Sequence, residues 1–430
     1  MNYTEMKRCR GCGGEIFNSV IDLGDQYIVD FVPTKEECAR GKAPLVLVKC
    51  DTCHLVQLKH TVHPDVLFTK FFYRSGINES MRFALKDIVK WALPLVTPES
   101  GDRVLDIGCN DGELLSNYPQ SIRTVGIDPA KELVHEALDN QRMSHGVVGY
   151  FSANAVREHA PFKIITAISM FYDLEDPVDF LKQCKEVLDD KGVLVIQMNY
   201  LKAMLENCAM DNICHEHLTY FSMQTFIPLA ERAGLEVLGM QETDTNGGSA
   251  RIFLQHLNSQ LDSVLGPDKM AQLWGKSLAC RAEEYQMMLD RDCPYTTFRE
   301  NIERIRTLIR AQVQNLAKKG KKIYLYGAST RGTGLMQYLG IEEYIKGAAE
   351  RDEKKYGLKM VGTWIPILSE AECRKDADIF LLLPWHFWES IRNRENQWLN
   401  NGGEFLVPLP EPRMISSSWE YSLTEKGVTV

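Results

Sequence analysis

Between residues 103 and 256 short apolar runs alternate with amphipathic stretches, and the alternation predicts the fold class before any motif is considered. Strands are expected over 104–107, 124–127, 164–169, 192–198 and 251–256, each a brief run rich in Val, Ile and Leu. Helical spacing fills the gaps at 113–118, 131–140, 177–188 and 224–233. Strands regularly separated by helices imply an α/β doubly wound sheet, with its ligand crevice beyond the carboxyl ends of the strands. A final pair, Gly234-Leu-Glu-Val-Leu and Ala250-Arg-Ile-Phe-Leu, has only the short Gly-rich connection Asn246-Gly-Gly-Ser249, which suits an antiparallel hairpin at the sheet edge. A helix is expected over 79–93, and Pro94, Pro98 and Gly101 mark a boundary before the first strand.

A second strand-to-glycine-turn unit begins at Lys322 and runs through Gly327-Ala-Ser-Thr-Arg-Gly-Thr-Gly334 into a helix. Further strands are expected at 345–349 and 379–383. Residues 258–319 carry helical apolar spacing with charged faces and read as a connecting layer without chemistry.

The first 70 residues follow a different logic. Cys9-x-x-Cys12 and Cys50-x-x-Cys53 place two thiolate pairs around one loop, the spacing of a tetrahedral structural zinc. So small a segment has little apolar core, and a metal staple compensates for that. Three units are therefore expected: a zinc-binding module over 1–70, a central Rossmann-like domain over 71–257, and a helical connector with a second Rossmann-like domain over 258–430.

Charge and composition narrow the partners. A net charge of −9 argues against nucleic acid as a general ligand. No apolar run reaches membrane-spanning length, and the opening residues lack an apolar signal segment. A cytoplasmic protein is expected, with its 12 cysteines as reduced thiols or metal ligands.

The two glycine turns differ in chemistry. Asp106-Ile-Gly-Cys-Asn-Asp-Gly112 lacks the Gly-x-Gly-x-x-Gly spacing of a dinucleotide site, and Asn110 and Asp111 are poor neighbours for pyrophosphate. A ligand with an amino-acid head and a sulfonium wants such polar groups instead. Asp106, Gly108, Asn110 and Asp111 fit S-adenosylmethionine, with Asp128 at the tip of the next strand on its ribose. Met170, after the third strand, is expected beside the adenine or the methionine. The second turn, with Ser329 and Arg331, has the hydroxyls and cation to hold a diphosphate, or is a ligand-free βα turn.

Reactive groups concentrate at His215-Glu-His217 and Tyr220. The spacing is not His-Glu-x-x-His, which excludes the helical zinc-protease geometry. In extended backbone His215 and His217 would share one face and Glu216 the other. One histidine could then move a proton, with Tyr220 polarising a carbonyl. Upstream, Tyr73 and Ser75 are candidates to face the cleft.

Taken together and in order, the two Cys-x-x-Cys pairs, Tyr73-Arg-Ser-Gly76, the 106–112 turn, His215-Glu-His-Leu-Thr-Tyr220, Asn246-Gly-Gly-Ser249, Tyr326-Gly-Ala-Ser-Thr330 and Pro384-Trp-His-Phe387 resemble the three-domain bacterial sugar C-methyltransferases. The resemblance spans nearly the whole chain. It implies a class I methyltransferase domain binding S-adenosylmethionine, a zinc module closing the site, and a C-terminal domain holding a nucleotide-diphosphate sugar. Glu216 and His217 match the family's catalytic pair and Tyr73 its tyrosine. Ser75, Asn246, Gly247, Ser329, Arg331, Trp385 and His386 are the expected substrate contacts.

Two positions depart from the family. Better-known members carry a Tyr shortly before the Glu-His pair, where this chain has Cys214-His215. They also carry a His in the loop where this chain reads Met170-Phe-Tyr-Asp-Leu-Glu-Asp176. The implied reaction is C-methylation of a 4-keto-deoxysugar at C3 or C5 through an enolate, with His217 as base, in deoxysugar biosynthesis. An O- or N-methyltransferase on the same kind of sugar, and a zinc-dependent binding protein with a vestigial fold, are the alternatives. Oligomeric state stays open at this level, a monomer being compatible with the chain.

Overall fold

Each strand–helix series closes into its own seven-stranded sheet, and a third, smaller sheet bridges toward the reactive segment. The structure is a computed structural model describing residues 2–68, 74–77, 79–261 and 263–424. The N-terminal residues form antiparallel strands β1 (Phe17–Tyr27), β2 (Lys42–Cys50) and β3 (Val56–Leu58). Helix α1 (Glu79–Val96) runs on through Pro94, past the expected stop. Proline there removes only one N–H near the helix end, and its carbonyl accepts from Val264 N at 3.0 Å.

The central unit comprises β4 (Arg103–Ile107), β5 (Arg123–Asp128), α2 (Lys131–Asp139), β6 (His145–Val148), β7 (Phe162–Ile168), α3 (Pro177–Val187), β8 (Leu188–Asn199), β9 (Thr219–Tyr220), α4 (Met223–Arg232), β10 (Leu235–Thr243) and β11 (Ser249–His256). Its sheet runs β10-β11-β8-β7-β4-β5-β6; the five strands from β8 to β6 are parallel and β10–β11 is an antiparallel hairpin. Both faces are covered, so Val104, Leu105, Ile164, Ile165 and Val193 are all buried and the strands read as continuous apolar runs. The strand order reverses at β4, with β5 on one side and β7 on the other. That reversal opens the ligand crevice at its carboxyl end.

One expected helix is absent. Residues 113–118 form only a 3-10 turn, Leu115–Asn117, and Tyr118 is extended at φ −77 and ψ 149. Pro119 disfavours the helical conformation at Tyr118, and a six-residue helix has too few hydrogen bonds to offset its nucleation. Strand β6 had no sequence signal, being a four-residue edge strand with His145 and Val148 exposed.

The C-terminal unit comprises α5 (Pro267–Gln286), α6 (Cys293–Lys318), β12 (Ile323–Tyr326), α7 (Thr330–Leu339), β13 (Ile345–Glu350), β14 (Ile367–Ser369), β15 (Ile379–Leu382), β16 (Glu404–Val407), β17 (Arg413–Ile415) and β18 (Glu420–Ser422). Its sheet order is β14-β13-β12-β15-β16-β17-β18, the first five strands parallel. Helix α6 buries Phe298, Ile302, Ile305, Ile309 and Val313, a three-to-four-residue stripe that packs into the core of this sheet.

Strand β9 lies in the central stretch of sequence but pairs with β3, Thr219 opposite Gln57 and Tyr220 opposite Val56. The N-terminal sheet is therefore β9-β3-β2-β1, and it carries the residues just before β9. Among the described residues no helix is long and apolar enough to cross a membrane.

Candidate active site

A cavity of about 430 Å³ opens at the carboxyl end of β4, walled by all three units. One end of it, where the cofactor is expected, is made by the first glycine turn. Gly108 takes φ +72, and a Cβ there would meet Met170 Cγ at 3.3 Å, so glycine lets the backbone turn beneath that side chain. Asp106 is buried and accepts from Thr166 Oγ1 at 2.6 Å; burial pushes its carboxyl up to about 7. Asp128, on the neighbouring strand, accepts from Asn110 N at 3.0 Å and Ala130 N at 2.8 Å. Burial raises it as well. Asp106, Gly108, Asn110, Asp128 and Met170 all line the cavity, as does Ser75, whose N–H donates to Asn110 Oδ1 at 3.1 Å.

Asp111 is turned to another task. Its Oδ2 accepts from Gly76 N at 3.0 Å and pairs with Arg142 at 3.1 Å, so it holds the segment above the turn instead of a ligand. Tyr73 lies outside the described residues.

At the other end the reactive segment departs from the extended form. Residues 214–217 make a turn, closed by His217 N donating to Cys214 O at 3.2 Å. The turn puts the consecutive Glu216 and His217 on the cavity wall together and sends His215 away. His215 is buried against the N-terminal sheet, its Nε2 3.0 Å from Ala43 O.

Tyr220 is likewise withdrawn. It is buried, and its hydroxyl donates to Asn212 O at 3.1 Å. That same carbonyl lies 2.8 Å from His217 Nδ1. A carbonyl can only accept, so the ring proton sits on Nδ1 and leaves Nε2 as the free lone pair. Burial first, then the Arg331 cation, lowers His217 to about 3, so the imidazole is neutral.

Sequence reasoning overlooked several lining groups. Tyr172 packs edge-on against the His217 ring at 4.3 Å. Asp173, Asn199, Asp211 and Cys214 also face the cavity. Three acids among the four residues from Asp173 to Asp176 follow an apolar run without matching a motif, and that mismatch was the available signal.

The C-terminal wall is built around Arg331. Its Nη2 pairs with Asp211 at 2.6 Å and its Nη1 donates to Asn246 O at 2.7 Å, leaving only Nε without a partner among the described residues. Trp385 is buried and donates through Nε1 to the same Asp211 at 3.2 Å. Gly247, at φ +84, lies under that indole, where a Cβ would stand 2.9 Å from the ring. Arg331, Trp385 and Gly247 thus lock the C-terminal unit to the central one. Ser329 caps α7, accepting from Gly332 N at 3.0 Å, while Ser329, Asn246 and His386 remain on the cavity wall. His386 Nδ1 has no partner among the described residues.

The four cysteines fit a zinc ion. Cys9 and Cys53 sulfurs are 3.6 Å apart, as are those of Cys12 and Cys50, and all four lie within 4.8 Å of one another. A tetrahedral Zn–S bond of about 2.3 Å requires sulfurs about 3.8 Å apart. Gln57 Nε2 and Gly14 N donate to Cys9 and Cys12 sulfurs at 3.1 and 3.4 Å, the outer hydrogen bonds such thiolates need. A bound zinc would supply structure only, since four thiolates leave no open position. Arg10, inside the first knuckle, donates to Leu58 O at 2.6 Å and pairs with Glu175 at 3.1 Å, on the cavity rim.

The description "C-methyltransferase C-terminal domain" matches residues 244–410, "Methyltransferase domain" matches 77–239, and "Putative zinc binding domain" matches 9–68. C-methyltransferase NovU of Streptomyces niveus is 29% identical over 416 residues, spanning 95% of this chain and 97% of that protein. The chain is a methyltransferase similar along nearly its whole length to a C-methyltransferase. Beyond that relative the likeness is confined to part of the chain. A Campylobacter jejuni tRNA U34 carboxymethyltransferase is 28% identical over 170 residues, 36% of this chain and 57% of that one. The crystal structure of an S-adenosylmethionine-dependent methyltransferase from Clostridium acetobutylicum covers 43% of this chain and 94% of its own, at 12% identity and a TM-score of 0.34. The protein is a class I methyltransferase whose S-adenosylmethionine, when bound, supplies the methyl group.

Proposed function

We propose that this methyltransferase methylates C3 or C5 of a nucleotide-linked 4-keto-deoxysugar through an enolate, as a cytoplasmic step of deoxysugar biosynthesis. The observation that carries the reading is the His217 imidazole: neutral, fixed by Asn212 O at Nδ1, and free at Nε2 in the cavity shared with the cofactor end. Carbon methylation differs from O- or N-methylation in needing a base that removes a proton from carbon. Nε2 takes that proton, and the C–H electron pair moves to the enolate. Glu216 stands beside it to orient the ring or the sugar, and Tyr220 acts on His217 through the Asn212 carbonyl. The sugar enters along the wall where Asn246, Ser329 and His386 offer contacts, with Ser75 across the cavity beside the first glycine turn. Arg331 presents only its Nε there, so diphosphate binding draws on uncharged donors more than on a free guanidinium. Units 1–70, 71–257 and 258–430 would then meet around one reaction space.

The test is incubation with S-adenosylmethionine and a panel of nucleotide 4-keto-sugars, with 4-hydroxy and 4-amino counterparts, reading products by mass and NMR. A new carbon–carbon bond is expected from keto sugars only. The His217→Asn enzyme should lose both methylation and deuterium exchange α to the ketone by about 10²–10⁴-fold. Methylation of oxygen or nitrogen without exchange would overturn the reading.

A further inference from the structure

The reaction end of the cavity holds a second carboxyl group that the base chemistry above does not use. Asp173 lies on the wall with Oδ1 closed off from solvent and without a partner among the described residues; Glu216 Oε2 is in the same state. The two loops that carry them are tied together by Thr219 Oγ1 donating to Tyr172 O at 3.2 Å, and by the Tyr172 ring on His217. Among the described residues the charges around Asp173 offer it no compensation. On its own loop stand Tyr172 and Glu175, whose charge is taken by Arg10. Facing it from the 211–217 turn are Cys214, Glu216 and the neutral His217, and the Arg331 cation is matched by Asp211. Two buried carboxyl oxygens with no unmatched cation among the described residues cannot both carry charge at low cost, so one proton is retained between the pair.

We propose that Asp173 is a catalytic residue that enters the reaction as a neutral carboxylic acid, donating its O–H to the substrate carbonyl oxygen while His217 removes the α-proton. This rests on the keto-sugar reading above. Burial first, and then the Glu216 charge, push Asp173 well above the ordinary carboxylate range. As the α C–H bond breaks, its pair forms the carbon–carbon double bond and the carbonyl π pair moves to oxygen. Asp173 O–H meets the developing oxyanion, a role that needs the acid form. When the carbon takes the methyl group the carbonyl re-forms, the sulfur keeps the C–S pair, and the proton stays with Asp173. Cofactor and base balance the step without a further reactant.

The zinc-loaded full chain tests this in two independent ways. Infrared difference spectra of substrate-free wild type against Asp173→Asn at neutral pH should show the C=O stretch of a protonated carboxyl. In exchange assays Asp173→Ala should fall about 10²–10³-fold, the loss typical of one oxyanion donor. Asp173→Asn keeps a neutral donor and should stay within about tenfold of wild type while losing the alkaline fall in rate. The sign follows from the raised carboxyl: wild type is active below its titration and declines as pH rises through it. S-adenosylmethionine affinity and melting temperature report whether each variant is folded. Absence of the carboxyl band, an Asn variant as inactive as Ala, or an Ala variant at wild-type rate would each overturn the proposal. A carboxyl band with no turnover of any keto sugar would instead sink the substrate reading and uphold the protonated Asp173.

Discussion

The two glycine turns begin alike and are used in opposite ways. After β4 the turn opens onto the cavity, with Asp106 and Asp128 on neighbouring strands and Gly108 letting the backbone pass under Met170. No α-helix follows, only a 3-10 turn. After β12 a well-formed helix does follow, yet Ser329 caps it and Arg331 is clamped by Asp211 and Asn246. The turn that lacks a helix N-terminus lies open to the cavity; the turn that has one joins two units. A strand–glycine–helix pattern therefore states that a sharp turn exists and leaves its use to the groups opposite it.

This contrast can be broken experimentally, most strongly at Arg331. Arg331→Met should cost about 3 kcal/mol of unfolding free energy by leaving Asp211 buried without its partner. Denaturant melting reads the loss, and Arg331→Met with Asp211→Asn should recover part of it. Cofactor affinity should be little changed; unaltered stability with lost ligand binding would reverse the assignment of the second turn. Asp128→Ala makes the opposite prediction. Losing a charged acceptor should weaken S-adenosylmethionine by about 2 kcal/mol, some thirtyfold by calorimetry, while the fold holds. Ser329→Ala should lower stability by about 1 kcal/mol through the lost cap and leave cofactor affinity within twofold.

The smallest effect is a pH dependence. Asp106, pushed up to about 7 by burial, is neutral below that value and a carboxylate above it. A cationic cofactor favours the carboxylate, so affinity should rise about threefold between about pH 6 and about pH 8 and become flat in Asp106→Asn. A wild-type affinity that falls over this range would place the cofactor's positive charge elsewhere.

Much of the fold was legible in the sequence because a parallel sheet covered on both faces has to be written as unbroken apolar runs. Strands β4, β5, β7, β8 and β11 fall where those runs predict them. What went unread had weak or conflicting local signals: β6 is a short exposed edge, and the 113–118 helix was overruled by Pro119. At the site, the alternation expected for His215-Glu-His217 failed because the segment turns. Tyr220 and His215 were drawn off by the N-terminal sheet, through β9 pairing with β3 and through Ala43. Tyr172 and Asp173 gave no motif because their part depends on Glu216 and His217, some forty residues away in the chain.

By itself the sequence determined what local chemistry encodes: strand and helix periods, the four-cysteine set, and the acid–glycine pattern around Asp106. These depend on neighbours within a few residues, where side-chain type restricts backbone and ligand directly. The tertiary structure alone decided which polar groups share the cavity and which are used up in holding units together. Arg331 and Asp111 became anchors, while Asp173 became an enclosed acid. Their charge state and availability depend on burial and on partners from distant elements, and neither is written beside the residue in the chain.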